Sequence, residues 1–118
     1  MDLSTARVRG IVVLAVVGEI DAANVAHLRS CLDDLLVKGE HNFVIDLTDV
    51  SFMDSSGLAT LVQLFKRVRI GQGDVRLCGM QPKVKRVFEL IRLDRVFDTF
   101  AGQGEAVASF PLLSEPQP

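Results

Sequence analysis

Short β-branched runs alternate with longer stretches whose apolar residues recur every three or four positions, and this exchange of rhythms repeats from Val8 to Phe110. Val8 to Val17 is β-branched and broken by Arg9-Gly10, which predicts two short strands around a turn, the second buried on both faces. Val25, Leu28, Leu32, Leu35 and Leu36 then fall at helical spacing, with Arg29, Asp33, Asp34 and Lys38 on the other side. Asp21 offers an N-cap to that helix and Gly39 a stop. Phe43 to Leu47 reads as a compact strand, and Thr48 to Asp54 as a polar loop with apolar anchors. A second helix is predicted from about Ser55 to Ile70, with Leu58, Leu61, Val62, Phe65 and Val68 as its stripe and Gly71-Gln72-Gly73 as its end. Asp74 to Cys78 is another strand. Pro82 opens a helix with Val84, Val87, Phe88 and Ile91 on one face. Val96-Phe97 reads as an edge strand and Glu105 to Phe110 as a short helix. The order β-β-α-β-α-β-α-β-α predicts an α/β fold: a mixed sheet joined by right-handed crossovers and covered by about four helices.

At 118 residues there is room for one domain, expected over residues 1–110, with 111–118 a Pro-containing flexible tail. Thirteen basic residues against 15 acidic give a net charge of −2, and Trp and Tyr are absent, so neither a basic nucleic-acid stripe nor base-stacking platforms are expected. The basic groups Lys66, Arg67, Arg69 and Lys83, Lys85, Arg86 read as solvated helix faces or part of a protein interface. Cys31 and Cys78 stand far apart and match no metal or redox spacing, so buried thiols are expected, and no metal or cofactor. The apolar run Ile11 to Val17 is far short of a membrane span, and no basic leader precedes it. A cytoplasmic protein with no membrane contact is expected.

In such sheets functional groups gather where strands end and helices begin, because loops there present free N–H groups and a positive helix terminus. Two junctions stand out: Gly18-Glu19-Ile20-Asp21 and Asp54-Ser55-Ser56-Gly57. The adjacent serines are explained either as helix caps or as a phosphate acceptor, since a dianion at this terminus would meet unpaired N–H groups. Asp21 can cap the first helix or meet a partner, and Asp54 can serve loop structure or partner contact. Gly57 costs about 1 kcal/mol against Ala inside a helix. That cost is explained by close approach of a partner backbone or nucleotide phosphate, or by tight packing on the sheet. Phe52-Met53 reads as core or loop anchor, the alternative being a Met exposed to a partner.

The run Val44-Ile45-Asp46-Leu47-Thr48-Asp49-Val50-Ser51-Phe52-Met53-Asp54-Ser55-Ser56-Gly57-Leu58 resembles the signature of bacterial anti-sigma factor antagonists, the small single-domain STAS proteins. Gly18 to Asp21 resembles their upstream motif, and Pro82 to Phe88 with Leu93 their later helix, so the similarity runs from about Val8 to Phe110. The resemblance implies a STAS fold and a partner-switching cycle. The unphosphorylated protein captures an anti-sigma factor that is itself an ATP-Mg-dependent serine kinase, and a sigma factor is freed. The first serine of Asp-Ser-Ser-Gly is the acceptor in that family, which carries over to Ser55. A metal-dependent serine phosphatase reverses the step. Asp21, Asp54, Ser56 and Gly57 are the implied partner-binding residues.

Catalysis by the chain itself is disfavoured. A serine hydrolase elbow requires Gly-x-Ser-x-Gly, whereas Met53-Asp54-Ser55-Ser56-Gly57 lacks the leading glycine. Gly71-Gln72-Gly73 follows a helix and precedes a strand, the reverse of a dinucleotide fingerprint. The competing reading within the same fold is a STAS scaffold or adaptor in another signalling or transport complex, without phosphorylation control.

Overall fold

The computed structural model describes residues 1–111, so the expected tail lies outside the described residues apart from Pro111. Strands β1 (Asp2–Val8) and β2 (Ile11–Ile20) form an antiparallel hairpin. Arg9 and Gly10 both have positive φ, +56° and +79°, which is the turn geometry whose twist suits a two-residue hairpin. Helix α1 (Val25–Val37), strand β3 (Asn42–Met53), helix α2 (Ser55–Ile70), strand β4 (Asp74–Cys78), helix α3 (Pro82–Leu90), a 3-10 turn at Leu93–Arg95, strand β5 (Asp98–Phe100) and helix α4 (Gln103–Ala108) follow. The five strands lie in the order β1-β2-β3-β4-β5, and every pair after the first is parallel. The expected mixed α/β sheet is therefore present.

That strand order places the helices. Three parallel crossovers advance in one direction across the sheet, and right-handed connection puts all three on the same face. The main core follows on that face: Val12, Leu14, Val16, Phe43, Ile45, Leu47, Val75 and Leu77 meet Leu28 and Leu32 of α1, Leu61 and Leu64 of α2, and Val84 and Phe88 of α3. Phe97 joins Phe65 and Phe88 there in edge-to-face contacts at 5.3 and 6.2 Å. Among the described residues the opposite face is covered by α4 alone, where Ala106, Val107 and Phe110 pack on Ile11, Val13, Val44 and Cys78. Arg76 ties α4 down, donating to the carbonyl and hydroxyl of Ser109 and lying 4.6 Å from the Phe110 ring centroid.

Several expectations are corrected. The first strand begins at Asp2 rather than near Val8, because β1 is an edge whose residues are mostly exposed and carry little hydrophobic pattern. Strand β3 runs on through the segment read as a loop, pairing with β2 as far as Met53 opposite Ile20. Its polar residues Thr48, Asp49 and Ser51 are exposed, and polar, solvent-facing positions conceal a strand from sequence patterning. Val96-Phe97 is not a strand: Phe97 is a buried anchor after the 3-10 turn, and pairing with β4 starts at Asp98. Ile91 lies past the end of α3 and is exposed. Helix α4 starts and ends about two residues before its expected place.

Candidate functional site

The C-terminal ends of β2 and β3 lie side by side, and each leads directly into a helix. This adjacency brings together the two sequence motifs, which are more than thirty positions apart. The Asp54 N–H donates to the Ile20 carbonyl at 3.1 Å. In the other direction, the Ala22 N–H donates to Asp54 Oδ2 at 3.0 Å. One residue thus clasps the loop before α1 to the start of α2.

Asp54, not a serine, is the N-cap of α2. Its Oδ1 accepts from the Ser56 N–H at 2.9 Å, the Gly57 N–H at 3.2 Å and the Ser56 hydroxyl. The carboxylate thereby satisfies first-turn N–H groups that have no partner within the helix. The Ser56 hydroxyl is the largest influence; desolvation opposes it, but with the N–H bonds from Gly57, Ala22 and Ser56 it holds the Asp54 carboxyl below its ordinary value, so the group is ionised at neutral pH.

The two serines consequently differ. Ser56 is half-buried and its hydroxyl is committed to Asp54. Ser55 is exposed at the first helical position, and its hydroxyl makes no hydrogen bond among the described residues. A capping role for Ser55 is excluded by Asp54 occupying that position.

Asp21 also departs from the capping role offered for it. Helix α1 begins at Val25, with Asn24 at the cap position, and Asp21 lies a turn earlier. Its Oδ1 accepts from the N–H groups of Ala23 and Asn24 at 3.0 and 3.2 Å, closing a turn. Asn24 answers by accepting from the Asp21 N–H and donating to the Glu19 carbonyl. Asn24 was not singled out from sequence, although an Asn just before a helical stripe is a recognisable turn signal.

Gly57 is buried, and the space around it is already filled. A methyl group there would stand 2.7 Å from Met53 Cγ and 2.8 Å from Ile20 Cγ2. The packing explanation for this glycine thus has its contacts within the chain. Phe52 and Met53 separate: Met53 is 6% exposed and part of the core, whereas Phe52 is 47% exposed.

A second polar cluster, missed in the sequence, lies behind β3. Asp46 accepts from the N–H and hydroxyl of Thr48 and from Gln103 of α4. Burial pushes its carboxyl up, but the bonds from Thr48, Gln103 and Cys78 outweigh it and hold the group below its ordinary value. Cys78 is pushed up to about 12, first by burial and then by Asp46. Among the described residues no group of three or more His, Cys, Asp or Glu is placed to hold a metal, and no helix is long and apolar enough to cross a membrane.

Residues 2–106 match the family model described as STAS domain. This chain belongs to the STAS domain family. It is 37% identical over 90 residues to the anti-sigma-B factor antagonist of Listeria monocytogenes, covering 76% of this chain and 79% of that protein. At the level of the fold, it matches an anti-sigma factor antagonist from Mycobacterium paratuberculosis with a TM-score of 0.84 at 24% identity, covering 92% of each chain. The anti-sigma factor antagonist SpoIIAA of Bacillus matches in both its unphosphorylated and phosphorylated forms, each with a TM-score of 0.73 and 91% of this chain covered, at 21% and 23% identity. Those two forms cover 94% and 97% of SpoIIAA respectively. The STAS fold implied by the motif resemblance is thereby established.

Proposed function

We propose that this STAS protein is an anti-sigma factor antagonist whose binding is switched off by phosphorylation of Ser55. The observation that carries this reading is the contrast between the two serines: Ser55 presents a free, exposed hydroxyl at the first turn of α2, while the Ser56 hydroxyl is tied to Asp54. Supporting it, the relatives at the level of sequence are named as antagonists of anti-sigma factors.

In the unmodified state an anti-sigma factor covers the junction formed by Asp21, Asp54, Ser56 and Gly57, and the sigma factor it would otherwise hold is released. The same partner, acting as a serine kinase, transfers the γ-phosphoryl group of its Mg-bound ATP to Ser55 Oγ. A P–O bond forms at the serine as the bond to ADP breaks, and the hydroxyl proton passes to a base on the kinase. The phosphoserine carries about −1.5 to −2 charges. Solvated at the helix N-terminus it is well placed, meeting a favourable dipole. Covered by a partner it would lose its water, which costs several kcal/mol unless donors replace it. Affinity falls while the fold persists, and SpoIIAA offers a parallel, since both of its forms share this fold equally well. A serine phosphatase restores the binding state, and the cycle needs no cofactor on this chain, no nucleic acid and no membrane.

Incubation with candidate anti-sigma kinases and ATP-Mg, followed by peptide mass spectrometry, tests the reading. One phosphate on Ser55, absent in Ser55→Ala, is expected. In titrations Ser55→Ala should bind as wild type and Ser55→Asp much more weakly. No phosphate with any candidate, or equal affinity of Ser55→Asp and wild type, would point instead to an unregulated scaffold.

A further inference from the structure

Helix α4 covers only the lower part of the sheet face it packs on, ending over Ile11, Val13, Val44 and Cys78. Beyond it, toward the ends of β2 and β3, no other element among the described residues covers this face. Val17 there stands between Asp2 of β1 and Asp49 of β3, and Glu19 stands opposite Phe52. Cross-strand partners share a face, and strand alternation puts Val17 and Glu19 on the same one. Val17 is 44% and Phe52 47% exposed, and Asp2, Glu19 and Asp49 are exposed around them. None of these three carboxylates forms an ion pair among the described residues, and neither the row Asp2–Val17–Asp49 nor the pair Glu19–Phe52 contains a Lys or Arg.

A solvated strand end does not require two large apolar side chains, and three unpaired carboxylates of one sign around them make a field that selects its partner. We infer that this acidic-rimmed apolar face is a second contact surface for the anti-sigma factor, and that the segment seated on it carries an apolar side chain flanked by Lys or Arg. The inference rests on the function proposed above. Ser55 stands three positions after Phe52, so the two lie within about 11 Å and one partner reaches both. The cations it brings face Glu19 and Asp49 on the sheet side, while Ser55 stands at the start of a helix on the other face. Contact on the sheet therefore strengthens capture without solvating a phosphate on Ser55.

The test is a titration of wild type, Phe52→Ser, the double variant Glu19→Lys/Asp49→Lys and Ser55→Asp against the anti-sigma factor, at low and at physiological ionic strength. A thermal melt of each variant accompanies it. Phe52→Ser is expected to weaken binding tenfold or more. The double charge reversal, at exposed positions that leave the melt unchanged, is expected to do the same and to abolish the salt dependence of Kd. If both patch variants bind as wild type while Ser55→Asp loses affinity, the surface is overturned and the switch stands. If the patch variants lose affinity and Ser55→Asp does not, the surface stands and the switch falls. Failure of the wild type to bind any anti-sigma factor overturns both.

Discussion

Replacing Gly57 by Ala separates packing from partner recognition at the junction. The added methyl would lie 2.7 Å from Met53 Cγ and 2.8 Å from Ile20 Cγ2, both closer than van der Waals contact allows. Ile20 is fully buried and branched, so it has no slack, and Met53 is 6% exposed against it. Overpacking a filled site costs about 1–3 kcal/mol, while Ala recovers up to about 1 kcal/mol of helix propensity. The balance is a loss of about 1–2 kcal/mol, which for a domain of this size lowers Tm by about 4–8 °C. Urea unfolding followed by circular dichroism should show a lower midpoint at unchanged slope. The cost should shrink in a Met53→Ala background, where one of the two colliding atoms is gone, giving a measurable coupling in the double-mutant cycle. A Gly57→Ala protein as stable as wild type, yet unable to bind an anti-sigma factor, would refute the packing argument and return the glycine to partner approach.

Asp54 is held ionised in the fold, so its contribution is present above the ordinary carboxylate value of about 4 and fades as pH falls through its lower folded value. Wild type should therefore lose stability more steeply than Asp54→Ala in urea titrations stepped through that acid range, and parallel curves would contradict it. Cys78, pushed up to about 12 and buried, should resist alkylation at pH 8 until denaturant is added, whereas half-buried Cys31 should react first. Removing Arg76 should release α4: in Arg76→Met, amide exchange across Gln103–Ala108 should rise tenfold or more while β3 keeps its protection.

Much of the architecture is legible in the chain because each buried element has its own period. Helix α2 and strand β4 have the ends expected of them, since Leu58, Leu61 and Val68 mark one face of the helix and Gly71-Gln72-Gly73 marks the break between the two. The junction motif was legible as a pair of loops with adjacent serines. The motif resemblance pointed to Ser55, but residue type alone could not say which hydroxyl is free, because Ser55 and Ser56 are adjacent and alike. Only the folding of Asp54 into the cap position consumes one hydroxyl and leaves the other. Likewise Asp21 reads locally as a cap and Asp54 as part of a loop or a partner contact. The parallel pairing of β2 with β3 makes Asp54 the clasp and reduces Asp21 to a turn within its own loop.

By itself, then, the sequence determined the alternation of elements, the mixed sheet and the two strand-to-helix junctions, because hydrophobic period and turn chemistry are local properties. Tertiary structure alone decided three things: the true length of β3, the packing need behind Gly57, and the exposure of Phe52 beside buried Met53. Each depends on what lies across the sheet. A strand end reads as loop until a neighbour pairs with it, and a glycine or phenylalanine shows its role only through the atoms, or the solvent, that the fold sets against it.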